Sequence, residues 1–225
     1  GEVVKNNMRP VANLNELPSP DRELYYKYDF IRDLPMKRFI ASMGCPYQCT
    51  FCHEPVIHKM YKGKGKYYRR KDPERVVAEI NYIKDRYPLS HVHFSDDLFI
   101  LRKNYNWLEE FADIYSREVG LPFNCNIRYD SVDLRSADLL AKANCHGAAI
   151  GLESGNEYLR EVVIKKRVKN DAMVEGARLL KERGIKTLTT NMIGLPGENV
   201  DQAFETVELN MRLKSNYTRA NTFLL

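Results

Sequence analysis

The chain has 225 residues, 44% apolar and 29% charged, with 35 Lys and Arg against 30 Asp and Glu for a formal net charge of +5. That length supports one substantial core, since single domains run to roughly 100–200 residues and α/β barrels exceed this as one unit. No apolar run approaches the roughly 18 residues of a membrane span, and the mild charge falls short of the basic footprint expected when nucleic acid is the main partner.

Along the chain, residues 1–36 read as an extended linker arm, because Pro10, Pro18, Pro20 and Pro35 punctuate it and little periodicity is present. The start GEVVKNNMRP lacks the apolar centre of a signal peptide, so the expected location is cytoplasmic, where thiols stay reduced. From Lys37 onward short apolar or alternating segments predict strands at 38–43, 91–96, 122–127, 147–152 and 186–193, with a sixth starting near Tyr217. Helical patterns fall between them at about 73–87, 104–119, 136–144, 156–164, 170–184 and 199–214. Val76, Val77, Ile80 and Ile83 have the spacing of one buried helical face. Pro73 after Asp72 is a start signal, and Gly184 after Arg183 a stop.

Repeated strand–helix units imply parallel strands joined by right-handed crossovers, hence an α/β doubly wound sheet or barrel. Both architectures bind ligands at the carboxyl ends of the strands. The chemically distinctive residues gather there: the cysteines after the first predicted strand, Asp96 and Asp97 after the second, Arg128 after the third, Glu153 after the fourth, and Gly194 to Glu198 after the fifth.

The stretch MGCPYQCTFCH, residues 43–53, holds three of the five cysteines, Cys45, Cys49 and Cys52, with His53 beside them. An odd number with three crowded together argues for a metal site rather than a disulfide framework. Thiolates at this spacing can wrap an iron–sulfur cluster or zinc. A cubane held by three cysteines keeps one iron open to a small molecule. Structural zinc wants a fourth ligand, for which His53 is the candidate, although its adjacency to Cys52 leaves little room to turn back.

CPYQCTFC resembles the cluster loop of the radical S-adenosylmethionine (radical SAM) superfamily in its spacing, in the aromatic before the last cysteine, and in its place after a first strand. The resemblance implies a partial TIM-like barrel of six strand–helix units, a [4Fe-4S] cluster on Cys45, Cys49 and Cys52, and SAM on the fourth iron. Its chemistry would be reductive cleavage of SAM to methionine and a 5′-deoxyadenosyl radical that abstracts hydrogen from a small-molecule substrate. A reductant such as flavodoxin or ferredoxin would supply the electron. Phe51 would then pack near the adenine. Asp96 and Asp97 stand where the family meets the SAM amino group, with capping of the following turn as the alternative for either. Glu153 and Ser154 of GLESG would contact the ribose or the amino acid end of SAM. Arg128 offers a fork for the SAM carboxylate, against a surface ion pair with Asp130 or Asp133. In NMIGLPGE, Ile193 and Gly194 would bring backbone close to the adenine.

The arm RPVANLNELPSPDREL, with CHEPVI, FSDDLF, GLESGNEYL and GLPGE in order, resembles the cobalamin-binding class of this superfamily. That implies an upstream cobalamin-binding domain in a parent protein, and a core whose carboxyl end is cut short at FLL. Methylation, cyclisation or rearrangement is the implied reaction. Two other functions compete: a radical SAM methylthiotransferase-like enzyme acting on RNA, and a zinc-stabilised α/β binding module without catalysis. Only the basic run HKMYKGKGKYYRRK, residues 58–71, speaks for RNA, and it reads more simply as a surface loop. Cys125 and Cys145 have no ligand spacing and read as free buried thiols.

Overall fold

The structure is a computed structural model and describes residues 1–102 and 105–223. Its centre is a six-stranded sheet, built from β1 (Met36–Phe39), β4 (His91–Phe94), β5 (Phe123–Ile127), β6 (Cys145–Glu153), β7 (Lys186–Ile193) and β8 (Tyr217–Thr222) in that spatial order. Every neighbouring pair is parallel. Strand order therefore follows chain order, and β1 and β8 stay unpaired with each other, as in a partial rather than a closed barrel. A separate antiparallel ribbon joins β2 (Ser42–Met43) to β3 (Arg69–Arg70).

Helices fill the crossovers: α3 (Glu54–Met60), α4 (Pro73–Lys84), α5 (Tyr105–Glu118), α6 (Leu134–Lys142), α7 (Asn170–Glu182) and α8 (Val200–Leu213). Strand alternation decides what each face carries. In β5, Phe123, Cys125 and Ile127 are buried toward the helices, leaving Asn124 and Asn126 for the inner face. In β6, Ala148, Ile150 and Leu152 join the main core, and Gly147, Ala149 and Gly151 line the inside. Phe94, Phe99, Phe111, Tyr115 and Phe123 form an aromatic centre in this core, with Phe94 to Phe99 at 4.7 Å between ring centroids. Their edge-to-face and tilted contacts add to the area they bury.

The predicted elements are present with three differences. The arm is extended to about residue 22 but then carries two helical turns, α1 (Glu23–Tyr26) and α2 (Asp29–Arg32). The single strand predicted at 38–43 is two pieces: the chain leaves the sheet after Phe39, because the Asp96 carboxylate draws in the amides of Ala41 and Ser42. The helix predicted at 156–164 contains a π-helical turn at Leu159–Val163. The predicted start of the second helix, Asn104, lies outside the described residues, as do Leu224 and Leu225 of FLL.

Gly155 shows how closely β6 is joined to α8. A methyl group there would sit inside van der Waals distance of the Glu205 carbonyl oxygen, and backbone cannot move aside as a side chain can. Gly155→Ala is expected to cost about 2 kcal/mol through overpacking, read as a lowered urea midpoint with an unchanged m-value.

Candidate active site

A cavity of about 260 Å³ opens at the carboxyl ends of the strands. Cys45, Cys49 and Cys52 form one side of its wall, and Asp97, Asn126, Arg128, Glu153 and Thr190 enter it from the ends of four successive strands. Phe51 and Lys166 complete the lining. One hollow thus collects Cys45, Cys49 and Cys52 together with these six polar side chains.

The cysteine loop is tied down on three sides. Asp96, 1% exposed, accepts from the amide of Ala41 at 3.2 Å and from the Ser42 hydroxyl at 2.6 Å. Burial pushes its carboxyl up from the usual carboxylate range. Next to it Asp97 accepts from the Gly44 amide at 3.1 Å. Glu54 accepts from the Cys45 amide at 2.6 Å and from the Tyr67 hydroxyl at 3.0 Å. On the far side Thr50 donates through its amide to the Ile164 carbonyl at 3.0 Å and through its hydroxyl to that of Val163 at 3.1 Å. Gly44 has φ of +84°, and a Cβ there would lie 2.9 Å from the Tyr67 carbonyl oxygen. The loop can turn this tightly only without a side chain at that position.

Two cations face the cysteines and the strand ends. Lys166 reaches Glu153 at 3.0 Å, both side chains being buried, and Glu153 has φ of +70°. That left-handed backbone is costly for a glutamate and is held by the surrounding structure. Arg128 is also buried. Its Nε and Nη2 donate to Asp130 at 2.9 and 3.0 Å, its guanidinium lies 3.6 Å from the Tyr47 ring centroid, and Nη1 approaches the Cys49 sulfur at 3.8 Å. Burial pushes the Cys45 thiol up to about 11 and raises Cys52 as well. Without a metal, Cys45 and Cys52 hold their protons at neutral pH, so ligation must displace them.

Among the described residues, the one trio of potential ligand atoms within 4.8 Å of one another is His53, Glu54 and Asp97. At least one pair of the cysteine sulfurs is therefore farther apart than 4.8 Å. A single tetrahedral zinc with bonds of about 2.3 Å would hold them at about 3.8 Å. His53 is 70% exposed and turned toward Glu54 at 3.3 Å. Three sulfurs of which at least one pair is too far apart for a single ion fit a cubane cluster with one open iron better than one zinc.

The model of the radical SAM superfamily matches residues 39–209. This chain belongs to the radical SAM superfamily. It is thereby an enzyme whose cofactors are a [4Fe-4S] cluster and SAM. It is 25% identical over 224 residues to an uncharacterized methyltransferase of Pyrococcus horikoshii, covering 97% of this chain and 46% of that protein. It is 24% identical over 217 residues to the anaerobic magnesium-protoporphyrin IX monomethyl ester cyclase of Rubrivivax gelatinosus, covering 93% of this chain and 37% of that one. The chain spans less than half the length of these curated relatives. In fold it is similar to the cobalamin-dependent SAM radical enzyme OxsB, solved with aqua-cobalamin and SAM bound, at a TM-score of 0.75 and 18% identity over 96% of this chain and 32% of that one.

Against the sequence reading, this radical SAM core sorts its candidates in two. Cys45, Cys49, Cys52, Phe51, Asp97, Arg128 and Glu153 meet at the cavity. Asp96, Ser154, Ile193 and Gly194 do not line it. Asp96 spends its oxygens on Ala41 and Ser42. Ser154 is fully buried, with its hydroxyl accepting from the Asn156 amide at 3.3 Å. The Ile193 carbonyl accepts from Phe223 at 2.8 Å, and the Gly194 amide donates to Glu198 at 2.5 Å. Arg128 is committed to Asp130, so the ion-pair alternative describes two of its nitrogens. Tyr47, Glu54, Asn126, Lys166 and Thr190 were not singled out by sequence. Asn126 had a signal, as a polar residue recurring at period two with Asn124 inside an apolar strand. Lys166 had none, being one cation in the run KKRVK.

Proposed function

We propose that Cys45, Cys49 and Cys52 hold the cluster and that the rest of the cavity binds SAM, in a core serving methylation or cyclisation of a small molecule in a cobalamin-dependent parent protein. What carries this reading is the convergence of three cysteines and the ends of four strands on one hollow. The names of the curated relatives, methyltransferases and a cyclase, support the reaction class. The likeness to OxsB supports cobalamin in the parent. When bound, the cluster and SAM supply one-electron cleavage of the sulfonium to methionine and a 5′-deoxyadenosyl radical.

The chain's own residues bind, orient and exclude water. Lys166 and Glu153 present a cation and an anion side by side, which suits the zwitterionic amino acid end of SAM. Lys166 rather than Arg128 is the residue for the carboxylate, because Asp130 occupies two of the three guanidinium nitrogens. Arg128 instead places positive charge beside the Cys49 sulfur. Phe51 shares an apolar cluster with Leu195, Leu159 and Met192, a surface on which the adenine can lie. Asn126 and Thr190 offer neutral hydrogen bonds between these ends.

Anaerobic reconstitution is expected to give about four irons per chain and, with dithionite, methionine and 5′-deoxyadenosine from SAM. One tightly bound zinc and no cleavage would overturn the assignment. Lys166→Ala is expected to keep the iron content and weaken SAM binding by about 10- to 100-fold, the worth of one charge-assisted hydrogen bond.

A further inference from the structure

One surface next to the cysteine loop takes no part in the cavity. From Pro55 to Lys71 the sequence has no Asp or Glu, and it carries Lys59, Lys62, Lys64 and Lys66. The other cations of this stretch are occupied: Lys71 pairs with Glu79 at 2.6 Å, Arg69 donates to the Tyr67 carbonyl at 2.9 Å, and Arg70 donates to the Phe99 carbonyl. Among the described residues none of the four lysines is in an ion pair, and Lys59, Lys62 and Lys66 are exposed. Beside them on α3, Val56 and Met60 lie one turn apart and are 62% and 56% exposed. An apolar centre ringed by unpaired charge has the anatomy of a protein interface.

This surface is coupled to the cysteine loop by direct packing. Gln48, between Cys45 and Cys49, borders the same shallow depression as Val56, Lys59 and Lys62. His58 stacks on Tyr67 with 4.8 Å between ring centroids. Tyr67 in turn donates to Glu54 at 3.0 Å, and Glu54 receives the Cys45 amide at 2.6 Å.

We infer that α3 and its lysine loop are the docking surface for a small acidic electron-transfer protein that reduces the cluster, an inference that rests on the functional reading above. The step moves one electron: the donor's reduced centre is oxidised by one, the cluster is reduced by one, and no bond forms or breaks in either protein. Charge complementarity selects the partner, since four unpaired lysines draw an acidic surface. RNA fits less well, because two of the three tyrosines interleaved with the lysines, Tyr67 and Tyr68, are only 8% exposed, which leaves the half-buried Tyr61 alone rather than a platform for successive stacked bases.

The test uses the reconstituted chain, flavodoxin as the acidic protein donor, and photoreduced deazariboflavin as a small neutral donor. In the triple variant Lys59→Glu, Lys62→Glu, Lys66→Glu, flavodoxin binding and flavodoxin-driven cluster reduction are expected to fall at least about tenfold at low salt. The corresponding Lys→Gln triple should fall between the variant and wild type, and wild-type binding should weaken as salt is added. Reduction by deazariboflavin should stay unchanged in all three. Equal flavodoxin binding and rates in wild type and both triples would overturn the inference. So would a single-stranded RNA oligomer that binds wild type more tightly than flavodoxin and is lost in the triples. A wild-type chain with no cluster reducible by deazariboflavin would overturn the functional reading itself, an outcome distinct from the other two.

Discussion

Cys49→Ala is expected to lower SAM cleavage at least about 100-fold while the protein stays folded. Cys49 is 9% exposed and sits in the cavity wall beside Arg128, not among the core clusters of the sheet. Removing its sulfur leaves two protein ligands for a cluster that needs three, so the iron signal in the electron paramagnetic resonance spectrum should vanish with the activity. The fold should lose little, because the backbone of the loop is held by Asp96, Glu54 and Thr50 rather than by the thiol. Far-ultraviolet circular dichroism and the melting temperature of the metal-free protein should match wild type within a few degrees. Retention of full cleavage would show that this residue is not a ligand.

The largest loss of stability is expected at Arg160, which does not line the cavity. Its side chain is fully buried in the π-helical turn. Nε donates to the Val168 carbonyl at 2.7 Å, Nη1 to that of Ser154 at 2.5 Å, and Nη2 to the Asn170 side chain at 2.7 Å. One guanidinium therefore joins the GLESG turn, the π turn and the start of α7. Burial lowers its pKa, although a guanidinium stays charged near neutrality. Arg160→Met keeps the length and strands three acceptors without donors, at about 1–3 kcal/mol for each left unsatisfied. Partial relaxation and entering water reduce the sum, and a loss of about 3–5 kcal/mol is expected, read as the free energy of unfolding in urea. Arg160→Lys should recover part of it. A cost below about 1 kcal/mol would mean that solvent reaches these carbonyls.

Much of the architecture was legible because burial enforces period. FNCNI and GAAIGL alternate since one face meets helices and the other a cavity, and the main helices show the 3.6-residue stripe that packs on such a sheet. Helix α3 was not legible. Glu54–Met60 is too short for a stripe, and it is held by the tertiary contacts of Glu54 with Cys45 and Tyr67. The candidate site divided for a related reason. Sequence can locate a residue at a strand end without saying which way its side chain leaves the turn. Asp96 and Asp97 are consecutive, yet one is sealed against residues 41 and 42 and the other reaches the cavity. Glu153 and Ser154 part in the same way. Lys166 was invisible because its importance arises from Glu153, 13 positions earlier, and nothing in KKRVK marks which lysine will meet it.

The small inner residues of β6 have a consequence for how such a core can change. A methyl group added at Gly151 would fall on the Glu153 carboxylate and the Lys166 ammonium, while Ile150 and Leu152 on either side of it belong to the helix-facing core. A single carbon atom at this position therefore presses on the charged pair before it presses on any backbone. Loss of chemistry and loss of structure are separable on this strand.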